Sequence, residues 1–532
     1  MGPGTLPAIE AVVDEANVAP RLEVLLPVGV RPRQLSVRTL LVGIMLALFD
    51  GRPAHLSRVH GALRALGVHE QRRLGVVVAW KCGPHLLTYR QVERTFGLLV
   101  HALSKEYPDG MPSEKLQDFV DALIEASIAA EYKDATSALA VDWTDVESFA
   151  RPPVPAKPKA KEEAPSDTDA KDTDAKDTDA GGTEAEGGRP SADEEASWGH
   201  RRGDGPGQKD ELFYGNFLQL GTMVREEAGP PVPELVRRML ATSCHVDPPP
   251  AFAGVLEDMV KSGIPLGDVL NDSGYSHRVP EHWALRMRAL GADLVMDLHP
   301  HDQGTQGTFE GAICWNGNLY CPSTPKALFN LEPLARGASE EEIAAHDQRS
   351  AELARYKMGV VSADDADGFH RVACPAVLGK VRCPRRPDSM ALSHARPEIL
   401  APPASPPTCC TQVTLTVPPS VNAKTRQKHP YPSRAHRLSY GRRSAAERSN
   451  ATVKDPASND VSRGWCRLMG LTSMTLMLTC LFVVRNQRVL ASFEAKEAED
   501  QRRLARGLAP RTRRRRRTTI SDLVNAAANS PP

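Results

Sequence analysis

The chain has 532 residues, with 66 basic and 66 acidic side chains and a formal net charge of zero. That length suits two to four domains and excludes a small disulfide-stapled fold. The 10 Cys, with no basic-then-apolar leader at the N-terminus, lead us to expect a reducing cytoplasm.

The balanced total hides segregation. Lys161–Glu195 holds thirteen acids and four bases, Gln501–Arg517 nine Arg and no acid, and Val421–Asn450 eight Lys and Arg against Glu447 alone. Such asymmetry suggests a polyanion partner and an acidic tether.

Residues 1–135 read as an all-α domain for DNA binding or dimerisation. Helices are expected at Ser36–Asp50 (N-capped by Ser36), Ala54–Leu66, Tyr89–Tyr107 and Ser113–Tyr132. Arg58, His60, Arg64, Arg72 and Arg73 give it basic edges, which are as consistent with an ordinary surface as with a DNA grip. From Thr136 the pattern turns to an apolar strand carrying Asp142, an acid expensive to bury unless it is paired or binds metal. Residues 151–207 read as a disordered acidic linker built on Asp-Thr-Asp-Ala repeats. The Gly203, Gly205, Gly207 cluster within it lacks the strand-before, helix-after setting of a phosphate loop.

Residues 208–300 continue in the order strand, strand, helix, strand, helix, strand. With the Asp142 strand, this predicts an α/β mixed sheet with helices on its faces. Asp272 sits where the fourth strand (Leu266–Leu270) hands over to a loop, and Gly274 is expected to allow a sharp turn there. After the fifth strand, Asp297, His299, His301 and Asp302 form a second constellation. It could hold a metal or contact phosphate.

Residues 301–436 form a Cys/Pro-rich insertion. Its thiols, Cys314, Cys321, Cys374, Cys383, Cys409 and Cys410, permit a structural zinc, but the spacing lacks a tight Cys-x-x-Cys pair, and buried free thiols are favoured. Residues 437–490 return to the core. There Tyr440, Arg443, Glu447, Asn450 and Lys454 are spaced 3, 4, 3, 4, which places them within about 80° on one helical face. The apolar run Leu468–Val484 is near the lower limit for a membrane span, and its Thr and Ser content favours a buried core helix. Residues 491–532 read as a charged helix and a basic tail around Arg513–Arg517, suited to phosphate.

Asp142 in a first strand, Asp272 in Asp-Ser-Gly-Tyr after the fourth, and Glu447 on a late helix resemble the DDE transposases of bacterial insertion sequences. Tyr440, Arg443, Glu447 and Lys454 keep every interval of one group's signature: Tyr, two residues, Arg, three residues, Glu, six residues, Lys. The resemblance spans roughly 136–486.

It implies an RNase H-like catalytic core, preceded by the all-α domain and interrupted by the insertion. It further implies that Asp142, Asp272 and Glu447 hold two divalent ions, Mg²⁺ or Mn²⁺, for DNA strand cleavage and transfer. Tyr440, Arg443, Asn450 and Lys454 would contact DNA. By the same analogy Trp315 would meet a base. The implied partners are double-stranded DNA (terminal inverted repeats and target) and a second copy of the chain, with no membrane, at the nucleoid in a bacterial cytoplasm. A catalytically silent DNA-binding relative is the alternative, motivated by the long acidic segment after Asp142.

Overall fold

The structure, a computed structural model, describes residues 5–28, 33–51, 53–80, 83–154, 189–201, 211–335, 337–455 and 460–511. Most of the expected linker, with its glycine cluster, and the basic run Arg513–Arg517 lie outside these residues.

A six-stranded mixed sheet organises the chain: β1 (Leu139–Glu147), β2 (Ser197–Arg201), β3 (Glu211–Met223), β4 (Val236–Ser243), β5 (Asp268–Asn271) and β6 (Asp293–Met296). Across the sheet the order is β4, β3, β1, β5, β6. β1 runs parallel to β5, and β5 to β6, while β3 is antiparallel to both β1 and β4. β2 pairs with the first residues of β3, on the same edge that β4 takes further along. This strand lies inside the segment expected to be a disordered linker. Ser197-Trp-Gly-His-Arg can add to the sheet because Gly199 leaves room for the Phe213 ring opposite, where a Cβ would come within 2.5 Å of it.

The alternation of β1 assigns its two faces. Leu139 and Val141 pack with Phe252 and Leu256 of α3 (Pro248–Lys261) and with Trp283. Ala138 and Ala140, with Leu270 and Val295, pack against Ala445 and Ala446 of α4 (Ser444–Lys454). The expected helix Val279–Leu290 is instead a 3₁₀ turn at Pro280–His282 followed by Ala284–Ala289.

The N-terminal residues are helical as expected, and Ser36 caps Val37–Phe49 by accepting from the Thr39 N–H at 3.1 Å. Two further helices, α1 (Thr5–Glu15) and α2 (Val18–Leu25), and a hairpin (Val77–Trp80 with Gly83–Leu86) were not anticipated. These helices share one apolar core with α5 (Leu471–Ala505) and with Val146, Leu218 and Met239 of the sheet. α5 is a single helix of 35 residues where two were expected. It is long and apolar enough, by length and composition, to cross a membrane, yet its apolar half, Leu471–Asn486, is buried within the protein's own core.

The insertion carries two three-stranded antiparallel sheets and the helix Glu340–Tyr356. They pack around two small apolar clusters, one with Trp315, Tyr320 and Leu353, the other with Met358, Val372 and Leu415.

Candidate active site: three carboxylates around one guanidinium

The register of β1 on β5 brings two acids to the same place. Ala140 pairs with Leu270, and two residues further along each chain stand Asp142 and Asp272. An even step keeps both on the face that α4 covers. Asp272 is fixed as the N-cap of the turn Ser273–Ser276, where Oδ1 accepts from the Gly274 N–H at 2.9 Å. Gly274 does not have a positive φ, so the sharp turn expected of it is not its role. A Cβ there would meet the Trp143 ring at 2.4 Å and Asp272 Oδ1 at 3.0 Å. The residue is glycine because the ring lies against it. Trp143 is held in turn by Tyr275, which packs on Trp283, both pairs with ring centroids 4.6 Å apart.

α4 approaches the sheet closely because Ala445 and Ala446 meet Ala138 and Ala140. Ser449 fixes it further, receiving hydrogen bonds from Thr222 at 3.1 Å and from Arg485 at 2.7 Å. Tyr440 to Lys454 is not one uninterrupted α-helix. The chain forms Arg434–Tyr440, tightens to a 3₁₀ turn at Gly441–Arg443, and resumes at Ser444. Gly441 is a weak helix former, and the Ser444 hydroxyl donates to its carbonyl at 2.9 Å. The signature side chains nevertheless stay together, with the Arg443 guanidinium 6.0 Å from the centre of the Tyr440 ring.

Arg443 is the hub. Nη1 donates to Glu447 Oε1 at 2.7 Å, and Nη2 lies 3.3 Å from Asp142 Oδ1 and 3.5 Å from Asp272 Oδ2. The other Asp142 oxygen accepts from Asn450 Nδ2 at 3.1 Å. Lys454 bonds Asp145 at 2.7 Å, an acid that Arg201 also pairs with. Thus Asp142, Asp272 and Glu447 are brought together; Arg443 and Asn450 contact these acids, while Lys454 bonds Asp145 instead. Asp145 and Arg201 join the site without having been singled out. An odd step of three from Asp142 reverses the face of a regular strand, so the alternation of β1 gave no signal for Asp145.

Burial pushes the Asp142 carboxyl up to about 6; Arg443 opposes this, while Asp272 and Glu447 reinforce it. Burial works against the Arg443 charge, but Tyr440 and the three acids outweigh it and raise its pKa above the ordinary value. Burial also raises the Tyr440 phenol. For Asp145, burial is outweighed by Arg201 and Lys454, which hold it below the usual range. The site opens outward from Asp142, 15% exposed, to Glu447, 56% exposed.

The second constellation is rearranged. Asp297 takes no part in it, because its Oδ1 accepts from the Tyr431 hydroxyl at 2.9 Å. His277 takes its place: ligand atoms of His277, His299 and Asp302 lie within 4.8 Å of one another, and the His277 and His299 rings stack at 3.9 Å. Lys424 bonds Asp302 at 2.8 Å, so this carboxylate already has a cation. In the insertion, Cys321, Cys374 and Cys383 share a buried cluster, but no three sulfurs among the described residues lie within 4.8 Å of one another. Trp315 is 2% exposed, packed on Tyr320 and Phe329, and is not free to meet a base. Part of the N-terminal basic edge is used internally. Arg73 grips Glu10 at 2.5 and 2.7 Å, and His60 bonds the Leu87 carbonyl at 3.0 Å.

No family model matches the chain, and no curated protein matches it.

Proposed function

We propose that the protein is a DDE transposase of an insertion sequence, cutting and joining DNA at the ends of its element. The observation that carries this reading is the convergence of Asp142, Asp272 and Glu447, from β1, the end of β5 and α4, on one positive group. The sheet order β4, β3, β1, β5, β6, with only β3 reversed among its three central strands, supports an RNase H-like core.

The donor set fits hard divalent ions. Three carboxylates offer oxygen ligands of the kind Mg²⁺ or Mn²⁺ takes, and the place among them already accommodates positive charge. Two such ions would supply Lewis acidity at the attacking and leaving oxygens of an in-line displacement. The chain's own residues do the rest. Asn450 orients Asp142, and Gly274 with Trp143 orients Asp272. Arg443, relieved of the acids, is free to grip a DNA phosphate through its fork, with Tyr440 and Lys454 beside it. In this reading the protein binds terminal inverted repeats and target DNA as a homodimer at the nucleoid of a bacterial cytoplasm. A zinc in the insertion is a separate expectation, checked by the zinc content of purified protein.

The test is excision from a plasmid carrying the element's ends, with Mg²⁺ or Mn²⁺. Asp142→Ala, Asp272→Ala and Glu447→Ala should each abolish excision; an unchanged rate would refute the role of that acid. The second reading is a catalytically silent DNA-binding relative, favoured by one observation: Arg443 contacts all three acids and stands where a metal would have to bind. Titration with Mn²⁺ separates the two, since the silent protein binds DNA but no divalent ion at these acids.

A further inference from the structure

A cavity of about 580 Å³ lies where the insertion meets the start of β6. Asp272 follows the end of β5, and β6 runs parallel to β5, so this cavity is at the opposite end of the sheet from the three carboxylates. Its lining includes four cations, Arg288, Lys357, Arg426 and Lys428, and two acids, Asp293 and Asp364. Two of the cations are already paired, Arg426 with Asp364 and Lys428 with Asp268.

Arg288 and Lys357 are different. Neither forms an ion pair with a described residue. Arg288 Nη2 donates to the Arg426 carbonyl at 2.7 Å, but Nη1 is buried with no hydrogen-bond partner. The backbone carbonyl of Lys357 accepts from Lys380 at 3.3 Å, so the charge beside this residue is a second cation. Burial pushes Arg288 down to about 9, with Arg426 adding to the effect and Asp364 opposing it, and pushes Lys357 down to about 8, with Lys380 adding. Asp364, the acid that acts on Arg288, is already paired with Arg426, so two partly buried cations without an ion pair of their own leave this place short of negative charge.

The geometry points to an anion site here, in which Arg288 and Lys357 together bind the phosphate group of a nucleotide-sized ligand. A guanidinium fork and an ammonium are the usual pair for phosphate oxygens. The volume lies within the range of small-ligand sites and exceeds what a bare phosphate needs. Asn318 and Gln427 offer amides for a sugar or base. The phosphate could belong to a free nucleotide, where it is dianionic, or to one nucleotide of a DNA strand, where it is a monoanionic diester; both present phosphate oxygens to the same two cations. The site is independent of the catalytic reading, since none of its lining residues belongs to the carboxylate cluster.

The experiment is calorimetry and thermal melting on the full chain with inorganic phosphate, a nucleoside monophosphate, and a short duplex. Phosphate and the nucleotide are expected to raise the melting temperature with concentration. Lys357→Gln and Arg288→Gln are each expected to weaken binding tenfold or more, and Lys357→Arg to retain it. A free nucleotide is the source if its binding is lost while duplex affinity stands. A DNA strand is the source if duplex affinity falls and its salt slope drops by about 1. The proposal is overturned if Lys357→Gln leaves phosphate, nucleotide and duplex binding all unchanged, or if none of the three binds the unmodified protein. Should Arg288→Gln fail to fold, Lys357→Gln decides alone.

Discussion

Arg443 Nη2 stands 3.3 Å from Asp142 Oδ1. The same guanidinium reaches Asp272 and Glu447, so one cation carries the repulsion of three acids. Metal and Arg443 therefore compete for the same oxygens. Arg443→Gln should lower stability in metal-free buffer by about 2 kcal/mol, the scale of a lost charged hydrogen bond. Mg²⁺ should then raise the melting temperature of the variant more than that of the unmodified protein. Thermal melts with and without Mg²⁺ check this, and equal shifts in the two proteins would remove Arg443 from the competition.

The raised Asp142 pKa gives a pH dependence with a definite sign. The group moves from 3.8 to about 6 on folding. Between those values the folded state holds a proton the unfolded state has lost, so this group's contribution to stability is full below about 4 and is lost as pH rises through about 6. Metal binding needs the ionised form. Mn²⁺ affinity should therefore climb through pH 6 and level off above it. Asp142→Asn should flatten that rise; a profile without an inflection near 6 in the unmodified protein would contradict the assignment.

Gly274→Ala tests the support of Asp272. The added methyl meets the Trp143 ring at 2.4 Å, which must shift or push the loop away. Overpacking of this kind costs about 1–3 kcal/mol, and it displaces Asp272 from Arg443. Metal affinity should fall along with stability. Trp143→Leu should restore part of both, and an equal loss in the two backgrounds would show that the ring is not the cause.

The alternating apolar pattern of β1 and the buried run of β5 were legible in the sequence, and with them Asp142 and Asp272. The 3, 4, 3, 4 spacing likewise exposed Glu447 and Arg443, although the helix is interrupted at Gly441–Arg443. What local pattern could not supply was register. Only the pairing of Ala140 with Leu270 says that the two aspartates lie side by side, and only the small Ala445 and Ala446 bring α4 close enough to join them. β2 was missed because its five residues sit within a polar, acidic stretch and gain their order from β3, not from their own composition. Asp297 was placed wrongly because a short motif cannot show that Tyr431, far along the chain, would claim its oxygen.

The position of α4 also depends on α5. Asn486 is fully buried and acts as one more rung on β4: Oδ1 accepts from the Val236 N–H at 2.9 Å, and Nδ2 donates to the Val236 carbonyl at 2.7 Å. Beside it, Arg485 donates to Ser449 of α4 at 2.7 Å. Asn486→Leu removes the partners of the Val236 N–H and the Val236 carbonyl, which should destabilise the protein by about 2–4 kcal/mol, from roughly 1–3 kcal/mol for each unsatisfied group, with partial relaxation. Arg485→Met removes the link to α4 together with the hydrogen bonds of Arg485 to the Glu234 carbonyl at 3.0 Å and to Asn486 Oδ1 at 3.4 Å, and should act on the site: Glu447 loses its fixed place, and Mn²⁺ affinity falls. Denaturant unfolding beside Mn²⁺ titration separates the two effects. The expected outcome is a large stability loss with near-normal metal affinity in folded Asn486→Leu, and weakened metal binding in Arg485→Met. If Arg485→Met binds Mn²⁺ as the unmodified protein does, α4 is held by its alanine contacts with the sheet and not by α5.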